Sequence, residues 1–137
     1  MPQVKHLATY GLLRQMRVAR AVGYDDALFV NASGHVPEGC TWNICFTDGC
    51  HWRWPEAPAL EGVTMQLLRT AISGAGWPVS TSPITASELR QFNGAFATNS
   101  VSAARPISAV GDHSLPGSVA DRSILSDLFD AVPWSSL

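Results

Sequence analysis

The sequence predicts a single mixed α+β domain over residues 1–137, with a barrel-like or layered sheet and helices at its periphery. Three observations carry that expectation. Short apolar or alternating runs recur at 27–30, 43–47, 50–54, 79–84, 94–98 and 106–110, each bounded by turn-forming residues. Other stretches carry helical stripes, from 6 to about 22, from Gly62-Val63-Thr64 to about Gly74, and from about 119 to 132. Finally, no repeat, low-complexity tract or long linker divides the 137 residues, of which 46% are hydrophobic and 15% charged, enough apolar content for one core.

In the first helix, Ala8, Leu12, Met16 and Ala19 form one stripe, and Arg14, Arg17 and Arg20 run along another face. The arginines approach the C-terminal end, where the helix dipole favours them, and Gly23 is a plausible stop, so this face reads as solvated. Residues 27–30 form a short apolar strand, and Asn31-Ala32-Ser33-Gly34 supplies a turn. Asn43 to Thr47 returns as a strand, and Asp48-Gly49 closes a hairpin into Cys50 to Trp54. There Trp52 and Trp54 share one face, for a core or interface, and His51 and Arg53 the other.

After a proline-rich loop at 55–58, the second helix carries Leu68, Ala71 and Ile72 and halts near Gly74-Ala75-Gly76. Val79 to Ile84 is extended. Thr85-Ala86-Ser87-Glu88 has the spacing of a capping box and opens a short helix to about Phe92. Gly94 to Thr98 is a strand, and a loop of small residues leads to Pro106–Val110 and a turn at Gly111-Asp112. Ser118 is placed to cap the last helix, whose apolar positions include Ile124, Leu125, Leu128 and Phe129.

Charge and composition exclude several functions. The net charge is −2 with no basic run, which removes the electrostatic footprint of a nucleic-acid binder. No apolar run approaches membrane-spanning length and the N-terminus has no secretory h-region, so the expectation is a cytoplasmic protein without a membrane partner. Cys40, Cys45 and Cys50 are equally spaced, but that interval points successive sulfurs to opposite faces of a strand, which argues against a metal site. Small free thiols packed as hydrophobes account for them better.

One carboxylate is oddly placed. Glu38 stands alone in the otherwise uncharged run 34–46, on a bend between two extended pieces, although a glutamate is rarely buried unless paired. The only lysine is Lys5. The run Gly34, Val36, Glu38-Gly39, Thr41, Asn43-Ile44, Phe46 resembles the signature of class IV aminotransferases, the pyridoxal 5'-phosphate enzymes of fold type IV. The likeness continues in order through Val4-Lys5-His6, Asp25-Asp26-Ala27-Leu28-Phe29-Val30, Leu60-Glu61-Gly62-Val63-Thr64 and Phe96-Ala97-Thr98-Asn99-Ser100.

The resemblance implies roles for particular residues. Lys5 would hold the cofactor aldehyde as a Schiff base and move a proton at the substrate α-carbon. Tyr10, five residues on, would hydrogen-bond the cofactor phenolate. Glu38 would keep the ring nitrogen protonated. Val63 and Thr64, at a helix start, and Asn99 and Ser100, after a strand, would hold the phosphate. Read alone, Thr64 is equally a helix cap and Asn99-Ser100 a turn. Asn43 with Thr41 serves either hairpin backbone groups or the cofactor, and His6 reads as structural. Arg105 reads as a solvated loop arginine rather than a contact for a substrate carboxylate.

An aminotransferase working between an amino acid and a 2-oxo acid is therefore implied. The alternatives are a lyase like 4-amino-4-deoxychorismate lyase, or an inert remnant acting as an interaction module. Family members run to roughly twice this length, so the expectation is the cofactor-binding domain without a small N-terminal domain. Part of the substrate pocket and a phosphate-clamping arginine would go with that domain. Self-association as a homodimer, or pairing with a chain supplying the missing domain, follows from the apolar surface this would expose.

Overall fold

A computed structural model describes residues 9–133. Its centre is a five-stranded sheet in the order β3-β2-β1-β4-β5, formed by β1 (Asn43–Thr47), β2 (Trp52–Pro55), β3 (Val79–Ser82), β4 (Gly94–Thr98) and β5 (Arg105–Pro106). β1 pairs antiparallel with both β2 and β4, β4 pairs antiparallel with β5, and β3 joins β2 in parallel. The parallel pair follows from a crossover: α2 (Val63–Gly74) intervenes between β2 and β3. The architecture is thus the expected α+β mixture. The sheet is open, and no closed barrel forms among the described residues.

Every residue of β1 and β4 is buried, because the sheet is covered on both faces. Ile44, Phe46, Ala95 and Ala97 pack with Val36, Trp42, Ile84, Leu89, Phe92 and Leu115. Cys45, Phe96, Trp52 and Trp54 pack instead with Leu68 and Ile72 of α2 and with Leu125 of α4 (Arg122–Asp130). The period-two alternation of a strand sends neighbours to opposite cores, which is how the tryptophans of β2 come to lie under α2. The Phe46 and Phe92 rings stack at 4.7 Å. Cys40 and Cys45 are buried free thiols, and burial, with Asp26 beside it, pushes the Cys40 thiol up to about 11. Cys50 differs from the expectation: the hairpin turn leaves it exposed.

α1 (Tyr10–Ala21) has no buried residue; Leu12, Met16 and Ala19 are half-buried, along the expected stripe. A 3-10 helix over Ala86–Gln91 opens at the expected capping box, where Glu88 accepts hydrogen bonds from the amide and hydroxyl of Thr85, both at 2.7 Å. Three expectations need correction. Residues 27–30 contribute only one bridge, Leu28 to Gly39, because the facing segment is an irregular loop. The run 106–110 is divided between β5 and β6 (Ala109–Val110), and β6 turns back on β7 (His113–Ser114).

The last helix is likewise broken in two. α3 (Gly117–Ala120) precedes α4, and Ser118 caps neither. Its hydroxyl accepts the Ala95 amide at 2.9 Å and donates to the Ile107 carbonyl at 2.7 Å, tying α3 into the edge of β4.

Candidate functional site

Glu38 is fixed from both sides of its bend. Its carbonyl accepts the Phe29 amide at 3.0 Å, and the next residue, Gly39, pairs with Leu28 and lies against the Trp42 indole. Any Cβ at Gly39 would overlap that indole, so the bend requires glycine there. The Glu38 carboxylate is partly desolvated. Its Oε2 accepts the Leu60 amide at 3.3 Å and lies 3.5 Å from Asn43 Nδ2. Burial raises its pKa, and the Leu60 amide opposes that rise. Among the described residues no Lys or Arg forms an ion pair with it; the cation–carboxylate contact there is Arg105 to Asp26, at 3.9 Å.

Asn43, buried at the start of β1, donates from Nδ2 to the Leu60 carbonyl at 2.6 Å. Its Oδ1 lies so close to Gly62 that a side chain there would collide with it. Gly62 is the N-cap of α2 and offers no side-chain cap, while the first intrahelical bond runs from the Gln66 amide to the Gly62 carbonyl. The amides of Val63, Thr64 and Met65 therefore form an open helix start, where the dipole favours an anion. Thr64 is buried and its hydroxyl donates to the Asn99 carbonyl at 3.0 Å, which brings the 99–102 loop against this helix start. Asn99 Oδ1 accepts the Val101 and Ser102 amides, each at 2.9 Å, and Nδ2 donates to the Thr41 carbonyl at 3.3 Å.

Glu38, Thr64 and Asn99 thus belong to one connected region, reached through Leu60, Asn43 and Gly62. Val63 is 71% exposed at the first turn of α2, and Ser100 is exposed in the adjoining loop. Tyr10 is 78% exposed at the start of α1, and no hydrogen bond links it to these groups. Lys5 and His6 lie outside the described residues. Arg105 is exposed, as expected, and its guanidinium lies 3.9 Å from the Asp26 carboxylate.

One contributor and one contact escaped sequence reasoning. Leu60 supplies a backbone amide, which no side-chain pattern marks. Asn43 was placed beside the carboxylate, but its partner lies 17 residues away, beyond any local spacing rule. The glycine before a helix, Gly62, was the one available hint of a close approach.

The residues present fit pyridoxal phosphate. An uncapped helix start beside a loop suits a dianion, and a partly desolvated carboxylate with no cationic partner among the described residues suits a protonated ring nitrogen. Beside this region, a cleft of about 650 Å³ opens between α2 and the 55–61 loop, with Trp54, Leu60, Met65 and Arg69 in its wall.

Comparison with known proteins defines the class first. A fold IV-transaminase from Curtobacterium pusillum superposes with a TM-score of 0.87 at 28% identity, covering 96% of this chain and 46% of that one. A putative 4-amino-4-deoxychorismate lyase from Legionella pneumophila shares the fold, with a TM-score of 0.84 at 24% identity over 93% of this chain and 47% of that one. Residues 1–110 match the amino-transferase class IV family, and the chain belongs to it. A probable branched-chain-amino-acid aminotransferase of Rickettsia felis is 31% identical over 98 residues, 70% of this chain and 34% of that protein. The chain therefore spans about a third of that curated relative.

Proposed function

We propose that this chain is the pyridoxal 5'-phosphate-binding part of an aminotransferase working between an amino acid and a 2-oxo acid. The observation that carries it is the junction at which the Glu38 carboxylate meets the Leu60 amide and Asn43, Leu60 lying two residues before Gly62, the uncapped start of α2. When bound, pyridoxal phosphate supplies an electron sink that lowers the cost of a carbanion at the substrate α-carbon. Glu38 Oε2 would accept the hydrogen bond of the ring N–H and keep that nitrogen protonated. The Val63 and Thr64 amides and the 99–100 backbone would orient the phosphate. Lys5 Nζ would hold the aldehyde and move the proton at the substrate α-carbon, and Tyr10 would donate to the phenolate.

A pocket of this kind needs closure against water, which a second copy of the chain or another chain packed against it would supply. The test is titration of the purified protein with pyridoxal phosphate, alone and with any chain encoded beside it. Saturable binding with a visible absorbance band, abolished by Lys5→Ala and weakened by Glu38→Gln, is expected. No spectral change under either condition overturns the reading. Amino transfer to a 2-oxo acid identifies the transaminase, whereas pyruvate released from aminodeoxychorismate without an amino acceptor identifies the lyase, whose fold this chain shares.

A further inference from the structure

We infer that Asn43 is a positioning residue that couples the two ends of the cofactor bed, holding the Glu38 carboxylate and seating the start of α2 with one side chain. The inference rests on the function proposed above. An Asn amide carries two N–H donors and one acceptor oxygen, and all of them have a neighbour here. Nδ2 donates to the Leu60 carbonyl at 2.6 Å and lies 3.5 Å from Glu38 Oε2, while Oδ1 packs on Gly62. Leu60 closes the ring by donating its own amide to the same Glu38 oxygen at 3.3 Å.

The anchor for this ring is rigid. Asn43 is 7% exposed and sits in β1 opposite Thr98 of β4, so its backbone is held by the centre of the sheet. Leu60, by contrast, lies in an irregular loop with no regular element to hold it. The loop is tied at its ends by the Glu56 amide on the Ser82 carbonyl at 2.9 Å and by Gln66 Nε2 on the Glu61 carbonyl at 3.1 Å, and the Asn43–Leu60 bond, the shortest of these, anchors it to the sheet beside Glu38. Two residues further on, Gly62 begins α2, and Thr64 then reaches the Asn99 loop. A shift at Leu60 would move the carboxylate's donor and the helix amides together. The charged groups that face this ring from the same loop are Glu56 and Glu61, both exposed. From α2, Arg69 lines the same cleft, and among the described residues neither it nor the two glutamates forms an ion pair with Glu38, whose nearest donors are the Leu60 amide and Asn43 Nδ2.

The test follows Glu38 itself. In cofactor-free protein, carboxyl ¹³C resonances report its titration, and the Asn43 side-chain amide resonances are expected to move over the same pH range in the unaltered protein. Asn43→Ala is expected to raise the Glu38 midpoint by about one unit and to weaken pyridoxal phosphate binding about tenfold. Asn43→Asp, of the same shape but lacking the donor, serves if the alanine variant fails to fold; it raises the midpoint further through like charge. Asn43 resonances that ignore the Glu38 titration overturn the inference, as does a folded variant with an unmoved midpoint. If the midpoints move as expected but the unaltered protein binds no pyridoxal phosphate, the cofactor reading fails while the Asn43–Glu38 coupling stands.

Discussion

Thr64 and Asn99, 35 residues apart, are joined by a 3.0 Å hydrogen bond from the Thr64 hydroxyl to the Asn99 carbonyl. The bond ties the first turn of α2 to the loop after β4, the two backbones that flank the proposed phosphate site. Because Thr64 is buried, the carbonyl it serves has little water to turn to if the hydroxyl is removed.

Thr64→Ala is therefore expected to destabilise the fold by about 1–2 kcal/mol and to weaken pyridoxal phosphate binding several-fold. Thr64→Ser, which keeps the hydroxyl, is expected to recover most of the binding. Urea midpoints and cofactor titration of both variants check this, and equal affinities for the alanine and serine variants would exclude the hydroxyl from the site.

Gly39 and Trp42 form a tight turn, with the Gly39 amide donating to the Trp42 carbonyl at 2.9 Å and the indole filling the space a Cβ would take. The indole is also held by Asp26, which accepts from its Nε1 at 2.9 Å. Gly39→Ala is expected to cost about 2–3 kcal/mol through overpacking. In Gly39→Ala/Trp42→Leu the combined cost is expected to fall below the sum of the single changes, since the clash and its partner disappear together. Additive denaturation midpoints would show that the two residues do not compete for this space.

What was legible in the sequence follows from how local each signal is. β1, β4 and α2 lie where their periodicity and flanking glycines put them, because the pattern and the boundary residues belong to one short window. The Glu38 bend and the α2 start were recognisable one motif at a time. Their connection was not, since it passes through the backbone of Leu60 and an amide 17 residues away. Residues 27–30 have the composition of a strand, but strand identity depends on a partner, and theirs is an irregular loop offering one bridge. Ser118 looked like a cap because it precedes a helix, and was recruited instead by the free Ala95 amide beside it in space.

That recruitment sets the cost of losing it. Ser118 is fully buried, and its one hydroxyl serves both the Ala95 amide and the Ile107 carbonyl. Ser118→Ala leaves two backbone groups without partners, so the expected loss is about 2–4 kcal/mol, more than a surface serine could give. Chemical denaturation measures it directly. A loss below about 1 kcal/mol would mean that water or a backbone shift replaces the hydroxyl.

Glu38 yields the most discriminating prediction, because its effects on stability and on binding have opposite signs. Burial raises its folded pKa above the ordinary 4.5, so between that value and the raised one the folded chain holds more protons than the unfolded chain. Its contribution to stability is accordingly present below pH 4.5 and lost as pH rises through the folded pKa. Glu38→Gln cannot ionise, so its stability relative to the unaltered cofactor-free protein is expected to grow with pH across that window and then level off. Asp121, also raised by burial, is common to both proteins and cancels from the difference. Pyridoxal phosphate reverses the order: only the carboxylate stabilises a protonated ring nitrogen, so at neutral pH the Gln variant is expected to be the weaker binder. Denaturant midpoints at several pH values, with and without cofactor, measure both signs. Parallel curves for the two proteins without cofactor would show that the Glu38 carboxyl is solvated, and would remove the desolvated acid on which the proposed ring contact depends.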